Sequence, residues 1–301
     1  MTQLSAAVRG IGLLGPGIDD WLTGAAILAG GTSYVPRATV LPAPAALPPA
    51  ERRRTGAVVK LALAVGFEAV SRAAVNPVEL PTVFSSSGGD GNNCHEICQT
   101  LASSDRMLSP TRFHNSVHNA ASGYWSIAAR STAASSVLCA FDASFGAGLL
   151  EALTQVVVEG TPVLLVAYDI GYPEPLRTVR PIPDAFGVAM VLAPLAQSAP
   201  APEFAPLQES STRLPESASA PRAATVLDLA SANSPPTCIT ATLTDAPASA
   251  MSDERLEAFR ATIPAARSLP LLHKLARQEP GSVVIDYLET QRIAIEVSAW
   301  R

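Results

Sequence analysis

Ser136-Val-Leu-Cys-Ala-Phe-Asp142-Ala-Ser144-Phe-Gly146-Ala-Gly148-Leu-Leu-Glu-Ala-Leu153 is the stretch whose reading decides the fold. It begins as an apolar run suited to a buried strand over 136–142. It then meets a cluster of small residues and continues as a helix to Gly160. A strand that turns abruptly into a helix exposes one side chain at its tip and aims backbone N–H groups at whatever sits there. The tip residue is Asp142 or Ser144. The helix beyond has few polar side chains, Glu151, Gln155 and Glu159, and they are spaced by four along one narrow stripe. A surface helix carries a broader polar face. This one is expected to be covered on most sides, with Gly146, Ala147 and Gly148 allowing close approach to another backbone.

A second helix with the same character is expected over 55–75. Its charged residues Lys60, Glu68 and Arg72 fall on one four-spaced line, and the remainder is apolar. Two such helices in one domain suggest a middle layer of helices covered by sheet on both sides. Around them the chain reads in order as follows. A first strand spans 6–14 and closes at Gly15-Pro16-Gly17, with Asp19 and Asp20 ahead of a short helix. Residues 30–50 read as loop. A strand over 82–87 leads through the turn at 88–91 to a helix at 93–103 capped by Asn92 or Asn93. A helical segment with an irregular start covers 109–130. Buried strands follow at 161–169 and 186–193. Candidate strands lie at 224–229 and 238–243. A helix broken near Pro264 and Pro270 runs over 252–278, and 282–287 with 292–297 alternate as a terminal hairpin.

Composition bounds the function. The chain has 301 residues, 48% hydrophobic and only 16% charged, which favours a large core over disorder. A net charge of −5 argues against a nucleic-acid binder. No apolar run is expected to reach bilayer length, and the N-terminus lacks a convincing signal-peptide cleavage site. Four cysteines in so long a chain do not make a disulfide framework. A cytoplasmic protein is expected, without membrane insertion. Residues 197–222 are rich in Pro, Ala, Ser and Glu and have no apolar period, which marks a linker or surface excursion.

Resemblance enters through Gly10-Ile-Gly12, Leu108-Ser-Pro-Thr-Arg-Phe113 with Asn119-Ala-Ala-Ser-Gly123, the Cys-Ala-Phe-Asp-Ala-Ser run at 139–144, and Asp184-Ala-Phe-Gly187-Val-Ala-Met-Val-Leu192. In order and spacing these resemble the N-terminal half of the β-ketoacyl synthases. They are closest to the short ketosynthase-like chain length factors of aryl polyene and related polyketide clusters. The resemblance implies an α/β, thiolase-like layered fold with buried central helices. Residues 1–196 would be the complete first half, 197–222 the linker or excursion, and 223–301 a reduced second half of the same domain. Active members carry a nucleophilic cysteine at the strand tip. Anchoring on Glu151-Ala152 places Asp142 there, with Cys139 three residues earlier inside the strand. A carboxylate is a much poorer acyl acceptor than a thiolate. The family's two catalytic histidines and its Gly-rich loop are also missing. After residue 193 the only histidine is His273, within Leu271-Leu-His-Lys-Leu275.

These departures imply a catalytically silent subunit, with no catalytic residue and no cofactor of its own. It would form a heterodimer with an active ketosynthase and work on chains held by an acyl carrier protein. Residues 115–129 would belong to that interface, or to the chain's own core. Asp142 would accept hydrogen bonds from helix N-terminal N–H groups, or face the partner's active site. Arg52, Arg53 and Arg54 would meet an acidic carrier protein, or form a solvated helix start.

Two rival readings start from other residues. Asp142-Ala-Ser144-Phe-Gly146 imitates the Gly-x-Ser-x-Gly elbow, which would make Ser144 the nucleophile of an independent acyltransferase or hydrolase. The first glycine is absent, and a capping or first-turn role for Ser144 competes with that reading. Cys94-x3-Cys98 and His114-x3-His118 have the paired spacing of a Cys2His2 zinc site and would give a zinc-stabilised interaction module. Without metal, Cys94 and Cys98 would be small apolar residues one helical turn apart.

Overall fold

The structure is a computed structural model and describes residues 3–195 and 237–299. The linker expected over 197–222 and the strand expected over 224–229 lie outside the described residues. The strands are β1 (Leu4–Leu14), β2 (Thr82–Ser85), β3 (Ser135–Leu138), β4 (Val163–Asp169), β5 (Phe186–Ala193), β6 (Thr237–Thr244), β7 (Gly281–Ile285) and β8 (Arg292–Ala299). The helices are α1 (Trp21–Leu28), α2 (Pro49–Arg52), α3 (Ala57–Ala73), α4 (Gly91–Ala102), α5 (Pro110–His114), α6 (Ala120–Ala129), α7 (Ser144–Glu159), α8 (Leu176–Val179), α9 (Glu254–Thr262) and α10 (Leu269–Arg277). Short 3-10 turns sit at Pro77–Glu79, Phe141–Ala143 and Pro264–Ser268.

All these strands join one eight-stranded sheet in the order β3-β2-β4-β5-β1-β6-β8-β7. β2 runs parallel to β3 and β4, and every other pair is antiparallel. β1 makes the sheet continuous. Its first half pairs with β6 and its second half with β5, with a register shift between Val8 and Gly10. The α/β class therefore stands, but the layering differs from the sandwiched-helix expectation. Sheet forms the centre, and α3 and α7 lie on its opposite faces. Side chains alternate accordingly. Ile11, Val83, Leu165 and Met190 pack with α7, α1 and α10, whereas Phe84, Leu164, Val166 and Val191 pack with α3 and α6. The helices looked equally buried in sequence because each is covered by more than the sheet.

Close approach explains the glycines. A β-carbon at Gly12 would lie 2.0 Å from the Val65 carbonyl oxygen, and one at Gly10 would lie 2.3 Å from that of Ala69, so α3 rests directly on β1. The first turn of α7 is wedged between two walls. A β-carbon on Gly148 would meet Ser85 of β2 at 2.8 Å, and one on Gly146 would meet the Asp286 carbonyl oxygen of the β7–β8 turn at 2.9 Å. This double cover keeps the helix apolar. Contrary to the sequence expectation, Phe141–Glu159 does reach the length and composition of a membrane span, with 19 residues and mean hydropathy 1.2. Half of that window is buried inside the protein, as in a core helix.

The polar stripes on these helices are used internally. Glu68 accepts hydrogen bonds from the Leu13 N–H (2.9 Å), the Trp21 N–H (2.8 Å) and Arg72 Nε (3.0 Å), fastening the end of β1 and the start of α1 to α3. Gln155 of α7 donates to Ser136 Oγ on β3 and to Glu151. Capping follows local chemistry. Asp20 caps α1 through the Thr23 N–H and Asp253 caps α9 through the Arg255 and Leu256 N–H groups. α4 starts two residues earlier than expected because Asp90, not Asn92 or Asn93, accepts from the Asn93 N–H. The segment 109–130 divides into α5 and α6. Tyr124 and Trp125 of α6 are buried, with Trp125 stacked 4.6 Å from Phe67, so this part of 115–129 belongs to the chain's own core. Phe113, Val117 and Ile127 remain exposed.

Candidate functional site

The ends of β2, β3 and β4 meet at the first turn of α7. Each strand delivers polar groups there because its apolar run stops abruptly. β2 ends in Ser85, whose hydroxyl donates to the Ser144 carbonyl at 2.6 Å. Ser87, just beyond, donates to Asp169 Oδ1 from its backbone N–H (2.9 Å) and its hydroxyl (2.6 Å). Asp169 terminates β4, is 2% exposed, and takes a third hydrogen bond at Oδ2 from the Ala265 N–H (2.8 Å). Burial pushes its carboxyl up to about 6, against the pull of the Ser87 and Ala265 donors and the Arg180 charge.

β3 ends at Leu138, shorter than expected, so Cys139 stands just outside the strand rather than inside it. Its thiol is exposed and lies 3.1 Å from the Ser87 carbonyl oxygen. The chain then turns through Phe141, held at φ +51° in the left-handed region, into the 3-10 turn carrying Asp142. The Asp142 carboxylate is not bound by helix N–H groups. Arg180, after α8, donates from Nη2 to Oδ1 at 2.8 Å, and Arg267 Nη2 lies 3.2 Å from Oδ2. The Arg180 guanidinium also lies 3.7 Å above the centre of the Phe141 ring. Ser144 is the first residue of α7 and is 2% exposed. Its hydroxyl donates to the Phe141 carbonyl (2.7 Å) and accepts from the Ala140 N–H (3.1 Å). Both partners are backbone groups, and no histidine bonds to it. The hydrolase reading of Ser144 lacks a general base.

The four zinc candidates do not converge. Among the described residues no group of three His, Cys, Asp or Glu side chains is placed to hold a metal ion. Cys94 and Cys98 lie one turn apart on α4, and burial followed by the neighbouring Cys98 raises the Cys94 thiol. His114 lies edge-on to Tyr124. His118 borders a cavity of about 20 Å3 together with Asp90, Asn115 and Tyr168, and its Nε2 is buried without a hydrogen-bond partner. The spacing is right for zinc, but α5 ends at His114, so the two histidines do not share a helix and the four side chains do not come together. His273 is on α10, beside a groove with Tyr34 and Met251, and its pKa is lowered by burial and by Arg277 and Lys274. Within the arginine run, Arg52 donates to the Ala45 and Leu47 carbonyls and Arg54 pairs with Glu51.

Asp169, Arg180, Arg267 and Ser87 were not singled out from the sequence. One signal was present for Asp169: a carboxylate closing the uninterrupted apolar run Val163–Asp169. The arginines come from irregular segments with no local mark of their role.

The family profile described as "Beta-ketoacyl synthase, N-terminal domain" matches residues 30–257. No curated protein matches by sequence. Among solved structures, one chain of the ketosynthase (ApeO) in complex with its chain length factor (ApeC) from Xenorhabdus doucetiae is similar at TM-score 0.65 and 21% identity, over 97% of this chain and 99% of that one. A chain of the ishigamide ketosynthase/chain length factor is similar at TM-score 0.63 and 12% identity, over the whole of both. A β-ketoacyl synthase from Burkholderia phymatum STM815 is similar at TM-score 0.51 and 14% identity, over 64% of this chain and 59% of that one. These likenesses carry the thiolase-like fold, and the profile covers most of the sequence: the chain belongs to the β-ketoacyl synthase N-terminal domain family.

Proposed function

We propose that the chain is a non-catalytic, chain-length-factor-type subunit that pairs with an active ketosynthase in aryl polyene, polyketide or fatty-acid-like biosynthesis. The observation that carries this reading is the tip of β3. Where the family resemblance puts the acyl-accepting cysteine, this chain has Asp142, and two arginines hold its carboxylate. A carboxylate so paired is a weak nucleophile with no base beside it. Length supports the same reading. The chain matches end to end with chains of ketosynthase and chain length factor complexes but spans only 59% of the Burkholderia synthase. Residues 1–196 then act as the family's first half and 223–301 as a reduced second half, joined through 197–222.

The partner is an active ketosynthase in a heterodimer, and an acyl carrier protein reaches the pair through that complex. The pair works in the cytoplasm, without nucleic acid or membrane insertion. β3 is a four-residue strand at the open edge of the sheet, and Phe113, Val117 and Phe141 are exposed large apolar residues. An open edge and exposed apolar side chains are what a partner surface requires.

Co-expression with an active ketosynthase, followed by size-exclusion chromatography and an acyl-elongation assay, tests the proposal. A one-to-one complex whose activity depends only on the partner's cysteine is expected. A homo-oligomer that turns over acyl thioesters by itself overturns it.

A further inference from the structure

We infer that Arg180 and Arg267 form a carboxylate-binding site whose resident ligand is this chain's own Asp142, and that the site takes a free small carboxylate when that side chain is removed. The inference goes beyond the subunit reading and does not depend on it.

The two guanidinium groups come from different parts of the chain and meet opposite oxygens of one carboxylate, Arg180 at Oδ1 and Arg267 at Oδ2. Their side chains are 16% and 19% exposed, whereas Asp142 is 42% exposed. The cations are thus the fixed, sheltered part of the site and the anion is its solvent-facing part. The Phe141 ring under its guanidinium also holds Arg180, whose Nε is buried with no hydrogen-bond partner and so leaves a spare donor at the site. The other nearby carboxylate, Asp169, already accepts from Ser87 and Ala265.

Arginine stays charged at any ordinary pH. Without Asp142 the site would hold two sheltered cations of like charge that have lost the carboxylate they pair with. Such a pair is strongly destabilising unless an anion replaces the lost one. A planar carboxylate matches guanidinium geometry, and chloride does not. In the intact chain Asp142 fills the site from within, so free carboxylate gains no entry.

The test uses the full-length protein in whichever form co-expression yields, with thermal unfolding as readout. Asp142→Ala should unfold at a lower temperature than the unsubstituted protein. Acetate should raise its midpoint by about 2 °C at roughly ten times the dissociation constant. Chloride at equal ionic strength should not, and neither should acetate with the unsubstituted protein. Arg267→Gln added to Asp142→Ala should abolish the response. If Asp142→Ala does not fold, Asp142→Asn keeps the side-chain volume without the charge and is measured in the same way. A folded variant that ignores acetate, or an equal response from the unsubstituted protein, overturns the inference. Neither result bears on whether the chain pairs with a ketosynthase.

Discussion

The carboxylate of Asp169, at the end of β4, accepts the backbone N–H of Ala265 at 2.8 Å, joining residues 96 positions apart in the chain. Oδ1 of the same carboxylate holds Ser87 at the end of β2. One buried side chain therefore ties the parallel edge of the sheet to the turn that precedes α10.

Asp169→Ala should cost about 3 kcal/mol or more, because it leaves the Ser87 N–H, the Ser87 hydroxyl and the Ala265 N–H buried without acceptors. Urea unfolding of the variant against the unsubstituted protein measures it. A loss below about 0.5 kcal/mol would mean that water replaces the carboxylate.

The same residue makes stability depend on pH. Its folded pKa, about 6, is raised above the ordinary 3.8, mainly by burial. Between these two values the folded chain holds a proton that the unfolded chain has released. Stability from this group therefore falls as pH rises through that window and is level above it. Asp169→Asn removes the group, so the difference in unfolding free energy between the two proteins, followed from pH 4 to 7 (about the range of a carboxyl raised in this way), should show that slope. A flat difference would contradict the assignment.

Two glycine substitutions of the same chemistry should have opposite signs. Gly12→Ala drives a β-carbon to 2.0 Å from the Val65 carbonyl and must push α3 off β1, costing about 3 kcal/mol. Gly123 lies exposed within α6 with nothing within 4 Å of an added β-carbon, so Gly123→Ala should stabilise by about 0.5–1 kcal/mol. Thermal midpoints of the two variants decide it. Similar shifts in one direction would contradict the packing of α3 on the sheet.

Ser144→Ala should lower stability by about 1 kcal/mol, through loss of the hydrogen bonds to Phe141 and Ala140. Acyl elongation by the complex should be unchanged. A fall in elongation beyond the fall in folded protein would restore Ser144 as a reacting group.

Chelators should leave the thermal midpoint where it is, because Cys94, Cys98, His114 and His118 do not form a metal-holding group. A drop in midpoint on adding EDTA would show that a metal contributes to the fold.

Strands were the most legible part of the chain. β5 occupies the expected 186–193, and β6 and β8 extend one or two residues beyond their expected limits. Their apolar runs are local signals, and flanking turns bound them. Capping was legible for the same reason, except at α4, where two asparagines after Asp90 offered equally plausible caps. The sandwiched-helix layering failed because a helix covered by a sheet and a turn has the same composition as one covered by two sheets. Asp142 was singled out only through the family resemblance, by its distance from Glu151-Ala152, and the partners that hold it were not legible.

The sequence by itself determined the order and approximate limits of the described strands and the covered character of α3 and α7. All of these depend on residue type and spacing within about twenty positions. Only the tertiary structure decided that β1 bridges β5 and β6 into one sheet, that Arg180 and Arg267 hold Asp142, and that Asp169 is buried with Ser87 and Ala265 as its donors. Those contacts depend on strand register and on the path of irregular segments far apart in sequence, where no local period marks which charge will meet which.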